Sequence, residues 1–312
     1  MNLDALAHAL ATRLPAGAVR RGVPVADLTT YRLGGPVDVV VRVTTDAELA
    51  AMAAVVAAAD RSPPVLVVGR GSNLLVADRG FPGLGVVLAG DFEAVDIDPD
   101  GARAGGATPL PVLARRAAAA GQAGLEFFVG IPGSVGGAVR MNAGGHGRDT
   151  AAVLRRAWTL DLATGDERPR PRAAADLDLG YRHSALRPTE IVTGAEFDAT
   201  PDDPAACSAR VDEIVRWRRE HQPGGANAGS VFRNPPGDSA GRLIDAVGLK
   251  GLRVGGAVVS PKHANFFQAE PGATADDVAA LVAEVQARVD EATGVRLEPE
   301  LLLVGFEQAG CR

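Results

Sequence analysis

Cysteine is nearly absent from these 312 residues: Cys207 and Cys311 are the only two, far apart and in no C-x-x-C pattern. That scarcity excludes a disulfide framework and a cysteine zinc cluster. The five histidines, at 8, 146, 183, 221 and 263, include no pair with metal-ligand spacing on one helix face, so no metal is assigned. Also missing is any uncharged apolar run of the ~20 residues that a bilayer span takes. The opening MNLDALAH has no basic region followed by an apolar run and a small-residue cleavage site, so no secretory signal is read and a cytoplasmic location is expected. Positive charge is not in excess; the net charge of −6 argues against a chain built to grip nucleic acid or an acidic membrane surface. No internal repeat and no long low-complexity tract interrupts the chain.

What is present suits a folded protein with two or three cores: 46% hydrophobic and 22% charged residues over this length. VDVVVRV (37–43) is β-branched and strand-like, and Thr45 with Glu48 offers a capping box to an alanine-rich helix through about Ala59. PPVLVVG (63–69) returns to strand. Thr108-Pro109 starts a helix over LPVLARRAAAA that Gly121 stops. AWTLDLATGDERP reads as a strand and hairpin, and EIVTGAEFDA (190–199) as a further strand. TPDDPAA (200–206) is the linker candidate, before the helix RVDEIVRWRREHQ. A short helix follows near AGRLIDAVG, then a long one over 275–294 capped by Thr274, and a last strand in VRLEPELLLVG. The alternation predicts an α+β architecture with a boundary near residue 204.

Two glycine-dense loops interrupt this pattern. VVGRGSNLL places Gly69-x-Gly71 directly after a strand, the beginning of a dinucleotide fingerprint. Leu74 stands where the third glycine belongs, and Gly80, Pro82 and Gly83 break any helix that would follow, so a Rossmann crossover fails. A loop remains whose backbone N–H groups, with Ser72 and Asn73, are suited to a pyrophosphate; an ordinary tight turn is the alternative. The second loop, GIPGSVGGAVRMNAGG (130–145), leaves bare backbone at Gly130, Gly133, Gly136, Gly137 and Gly144, with Ser134 and Asn142 as hydrogen-bonding groups. Taken alone it suits bulges and close strand crossings. The two loops together favour a bulky nucleotide cofactor.

With TTYRLGGPVDVVV before these loops, and LGYRHSAL, GSVFRNP, GLKGLRVGGAVVSPKHANF and LEPELLLVG after them, the ordered blocks span about residue 29 to residue 305. The set resembles the UDP-N-acetylenolpyruvoylglucosamine reductase family of peptidoglycan synthesis. The resemblance implies a flavin-binding fold of the vanillyl-alcohol-oxidase type with a smaller C-terminal α/β substrate domain. The implied division is an FAD-binding region of two α+β subdomains over 1–204, a substrate-binding domain over 205–298, and a strand in 299–312 returning towards the FAD-binding region. It also implies non-covalent FAD and NADPH as hydride donor, with a sugar-nucleotide substrate, UDP-N-acetylglucosamine enolpyruvate, reduced to UDP-N-acetylmuramate.

By the same motifs the implied catalytic residues are Arg182 on the substrate carboxylate, Glu300 as a protonated donor to the enolate, and Ser230 as the proton source for carbon. The implied cofactor residues are Tyr31, Gly69, Arg70, Gly71, Ser72, Asn73 and Leu74 in the first blocks. In the second loop they are Gly130, Ile131, Pro132, Gly133, Ser134, Gly136, Gly137, Ala138, Asn142, Ala143 and Gly144. Arg233, Asn234, Lys262, His263 and Asn265 are the implied substrate-binding set. The chain departs from the family pattern at Arg70, where a small residue is usual, and in YRHSAL, which lacks the aromatic often found after the serine. Only 47 residues separate Arg182 from Ser230, too few for the extra tyrosine-bearing loop, so the chain resembles the shorter subtype. Without the family, a surface arginine, a loop glutamate and a turn serine are the competing readings. A flavin oxidoreductase of another sugar or alcohol, or a non-catalytic nucleotide-binding protein, are the rival functions.

Overall fold

The structure is a computed structural model that describes residues 3–59 and 62–306; Cys311 lies outside them. The chain forms two compact units. The first takes the chain up to Val23, then Asp38–Arg70 and Pro82–Arg218; the second takes Pro24–Val37, Gly71–Phe81 and the chain from Arg219 onward.

The first unit holds two larger sheets and two short two-stranded pairs. One has four strands in the order Val19–Pro24, Pro36–Val43, Phe81–Leu88, Val65–Val67, the last two parallel. Val39, Val41, Leu84 and Val86 from these strands meet Leu6 and Leu10 of helix Leu3–Arg13 and Leu49 and Met52 of helix Asp46–Ala57 in one core. The predicted capping box is half formed: Thr45 Oγ1 accepts from the Glu48 N–H at 3.2 Å, but the Glu48 carboxylate turns to the N–H of Thr44, at 2.6 Å. The second sheet is antiparallel, in the order Arg170–Ala173, Leu154–Asp161, Glu190–Asp198, Gly101–Gly105, Val95–Asp98. Helix Leu110–Ala119 begins after Pro109 and is followed by Gly121 at φ 69°, as its sequence predicts. Its buried Leu110 and Leu113 join Phe127, Phe128, Val135, Val139 and Phe197. The TPDDPAA stretch is more than a linker: Thr200 and Pro201 pair with Ala123 and Gln122, and Pro204 opens helix Pro204–His221.

In the second unit an antiparallel sheet, Arg253–Val254, Ala257–Val259 and Phe267–Ala269, lies with helices Ala240–Ala246 and Ala275–Thr293 around a core that includes Phe232, Phe267, Val278, Leu281 and Val285. Thr274 caps the long helix in a full capping box with Asp277. Leu302–Val304 pairs in parallel with Leu74–Val76.

Candidate active-site residues

Within the first unit the two glycine loops meet. A Cβ on Gly69 would come 2.5 Å from the Ser134 Oγ, so the turn after strand Val65–Val67 lies directly on the second loop. Ser134 itself is buried and caps helix Val135–Met141, its Oγ accepting from the Gly137 N–H. The start of that helix is stitched down by Val135 N–H to Thr108 O and Gly136 N–H to Gly106 O, at 3.0 and 2.8 Å. A Cβ on Gly136 would lie 3.1 Å from Gly106 O and 3.2 Å from Val192 O, so this glycine permits a backbone-to-backbone approach inside the fold. Gly137, one residue on, is exposed, and a Cβ there would find only the Ser134 Oγ, at 3.5 Å. Gly130 is backed by the His146 ring and Ile214, and Gly144 by the backbone of Arg148 and Asp149. The open side of Gly137, where a Cβ would meet only Ser134 Oγ, leaves room for a ligand beside the second loop.

Asn142 ends the helix in the left-handed region, φ 38°. Its Nδ2 donates to Asp149 Oδ2 and to Gly180 O, at 3.1 and 2.9 Å, and its Oδ1 accepts from Ala151 N–H at 2.8 Å. Sequence reasoning gave this amide to the cofactor; the structure uses both donors and the acceptor as a strut between loops. That strut holds the turn in which Gly180 and His183 exchange N–H···O bonds of 3.1 Å, with Tyr181 and Arg182 at its tip. Arg182 sits at φ 54°, half-buried, donates to Gly144 O at 3.2 Å and lies 5.2 Å from the Tyr181 ring centroid. Tyr181, beside it at the tip of the turn, is 54% exposed.

The second unit brings Ser230 and Glu300 onto neighbouring segments. Glu300 N–H donates to Val231 O at 2.8 Å, and Val231 N–H donates to Asn265 O at 2.9 Å. Ser230 bridges Phe266 in antiparallel fashion. Asn73 Nδ2 donates to Glu300 O at 3.0 Å, so the SNL motif helps to hold the Glu300 backbone. Gly71 takes φ 59°, and a Cβ there would strike Leu28 O at 2.1 Å, so chain packing already demands this glycine. Ser72 is half-buried, and Leu74 is buried in the parallel strand pair.

Two residues of the implied sets are tied into the core. Tyr31, read as a cofactor residue, is a core side chain: it is buried, its hydroxyl donates to Phe267 O at 3.0 Å, and burial pushes its phenol well up. Asn265, read as a substrate residue, is buried, and its amide accepts from Phe232 N–H and donates to Phe232 O, at 2.9 and 2.8 Å, leaving it a shaping role. The remaining members of that set lie nearer solvent. Arg233 is half-buried with its N–H on Glu298 O, and Asn234 is exposed with its Oδ1 accepting from Ala240 N–H. Lys262 is exposed and donates to Arg219 O at 2.6 Å. His263 packs edge-on against Phe266 at 4.6 Å, and burial lowers its imidazole from the usual value, so the neutral ring prevails. A cavity of about 700 Å³ in the first unit, lined by Asp46, Phe92, Arg103 and Trp158 among others, contains none of these residues.

Comparison with known proteins supplies the class. A family described as "FAD binding domain" matches residues 37–167, and one described as "UDP-N-acetylenolpyruvoylglucosamine reductase, C-terminal domain" matches residues 221–304. The chain is therefore a flavin-dependent oxidoreductase of α+β architecture carrying an FAD-binding domain. It is 42% identical over 295 residues to the UDP-N-acetylenolpyruvoylglucosamine reductase of Synechococcus sp. strain WH7803, covering 93% of this chain and 94% of that one. It is 42% identical to that of Caulobacter vibrioides over 284 residues, 90% of this chain and 92% of the relative. The crystal structure of that reductase from Thermus caldophilus superposes with a TM-score of 0.78 at 40% identity, covering 92% of this chain and 98% of that one. The chain belongs to the UDP-N-acetylenolpyruvoylglucosamine reductase family.

Proposed function

We propose that this protein reduces the enolpyruvyl ether of UDP-N-acetylglucosamine enolpyruvate to the lactyl ether of UDP-N-acetylmuramate, a step of peptidoglycan precursor synthesis, with NADPH as electron source, in the cytoplasm. The observation that carries it is the paired placement of Ser230 and Glu300 on adjacent hydrogen-bonded segments, in a chain of this family with all three catalytic motifs intact. Bound FAD would supply the hydride chemistry that links NADPH to the methylene carbon of the enolpyruvyl group.

This chain's own residues do the rest. Gly69, Arg70, Ser72, Gly130, Gly133 and Gly137 hold the flavin through backbone and short polar groups, without a covalent bond. Arg182 pairs with the substrate carboxylate, where a planar, permanently charged guanidinium matches both oxygens as negative charge grows. Its left-handed turn is held by Asn142 before any substrate arrives. Glu300 donates a hydrogen bond to the same developing enolate, and the Ser230 hydroxyl delivers the proton to carbon. Arg233, Asn234, Lys262 and His263 bind the sugar nucleotide, the cations meeting its diphosphate.

An anaerobic two-step assay tests this reading. NADPH is added to the FAD-loaded protein until the flavin absorbance is bleached, and UDP-N-acetylglucosamine enolpyruvate follows. Rapid return of the absorbance with one UDP-N-acetylmuramate per flavin is expected; a flavin that stays bleached refutes the substrate assignment. In Ser230→Ala the first step persists while the second slows by about 10²–10⁴-fold, the range for loss of a positioned proton donor.

A further inference from the structure

Helix Pro204–His221 lays one face along the segment that leads into the second glycine loop. Arg210 Nε donates to Glu126 Oε1 at 2.8 Å, and four residues later Ile214 fills the space behind Gly130. These are the first and last residues of the 3₁₀ segment Glu126–Gly130, which runs straight into Ile131–Gly137. Trp217, a further turn along, meets the His146 ring edge-on at 5.1 Å.

Glu126 is a buried carboxylate in this arrangement. Its other oxygen, Oε2, accepts from the Gly124 N–H at 2.7 Å. The Arg210 guanidinium is shared, its Nη2 donating to Asp202 Oδ2 at 2.7 Å and to the Cys207 Sγ at 3.2 Å. The hydrogen bonds that Arg210 donates to Asp202 and Glu126 raise its guanidinium above the ordinary arginine range, so it stays a cation throughout. Burial pushes the Cys207 thiol up, leaving it an uncharged neighbour. A buried carboxylate stripped of its cation is strongly unfavourable, whereas a neutral amide in the same place needs no cation.

We propose that Arg210 is a positioning residue for the flavin: by neutralising Glu126 it fixes the 3₁₀ segment and so sets the path of Gly130–Gly137, on which FAD affinity depends. The proposal rests on the assignment of that loop to FAD. No atom of Arg210 need touch the cofactor.

The test is FAD binding to apoprotein, measured by titration. Arg210→Met raises the FAD Kd by at least about tenfold, because Glu126 must leave its place or be buried unpaired. Arg210→Lys, which keeps the charge but loses the fork to Asp202, falls between Met and wild type. Glu126→Gln in the Arg210→Met background restores the Kd to within about threefold of wild type, since the charge that needed neutralising is gone while Gly124 keeps its acceptor. Rescue by removing a charge is an outcome that general loss of packing does not produce. Unchanged FAD affinity in Arg210→Met overturns the proposal, as does a double variant that binds no better than the single one. If Arg210→Met does not fold, the comparison of Arg210→Gln with Arg210→Gln/Glu126→Gln decides by the same rule, since glutamine also removes the cation. Gly137→Val separates the two layers: flavin retained there overturns the loop assignment and the brace with it. Flavin lost in Gly137→Val but retained in Arg210→Met overturns the brace alone.

Discussion

Gly136 and Gly137 are neighbours in sequence and opposites in use. A side chain at Gly136 would press on two carbonyl oxygens of the same unit, those of Gly106 and Val192, and the Gly106 oxygen already accepts the Gly136 N–H. Gly136→Val therefore costs stability, on the order of 1–3 kcal/mol as for other overpacked sites, and lowers the Tm of the apoprotein. Gly137→Val faces open space apart from Ser134 Oγ. It keeps the apoprotein Tm near wild type and loses the flavin, read as the ratio of visible to 280 nm absorbance. Equal Tm losses in the two variants would show that both glycines serve the fold alone. The motif made the loop legible in sequence; the division of labour within it was not, since a glycine that admits backbone and one that admits a ligand are the same letter. The same limit explains Asn142, Asn265 and Tyr31. Their residue types invite a ligand, and their partners, Gly180, Phe232 and Phe267, are 38, 33 and 236 positions away.

Among the elements, those with local signals were the most legible. Thr274 as a cap, Pro109 before a helix and Gly121 after it are rules about the first and last turns, and tertiary packing does not override them here, although the Thr45–Glu48 box forms only in half. Short strands joined by non-local pairing, such as Gln122–Ala123 with Thr200–Pro201, carry too few residues for any periodicity to show. The capped helix also has a pH signature. Asp277 accepts from the N–H groups of Gly256 and Thr274, each at 3.0 Å, and these bonds hold its carboxyl below the ordinary aspartate range. A carboxyl lowered on folding stabilises fully above its unfolded value of about 3.9, and that contribution is lost as pH falls through the folded value. Asp277→Asn accordingly lowers stability at pH 7 and flattens the decline below about pH 4 in denaturant titrations. An acid limb as steep as wild type would exclude Asp277 as a contributor. Thr274→Ala removes the other half of the box and costs about 1 kcal/mol at neutral pH.

Over the whole molecule, the second unit is assembled from three stretches of chain, and its closure is non-local. Leu74–Val76 runs beside Leu302–Val304, Tyr31 reaches Phe267, and Asp78 accepts from the N–H groups of Ala275 and Asp276 at 3.1 and 2.9 Å. Nothing in the periodicity of residues 71–81 announces these partners, because each is a single pairing across some two hundred residues. Asp78 thus adds a second cap to the helix that Thr274 already caps, and it does so from the segment that also carries the strand. If the three ties close one cooperative unit, loosening any of them is felt by all. Asp78→Ala is expected to cost about 1–2 kcal/mol, the upper range for a cap that is also a charge-assisted bond. In native-state hydrogen exchange the slowest amides of helix Ala275–Thr293 and those of Leu74–Val76 and Leu302–Val304 should then lose protection by the same free energy, since they open together. Fraying confined to the first turn of the helix, with the strand pair still fully protected, would show instead that Asp78 is a local cap and that the parallel strands hold the C-terminal segment without it.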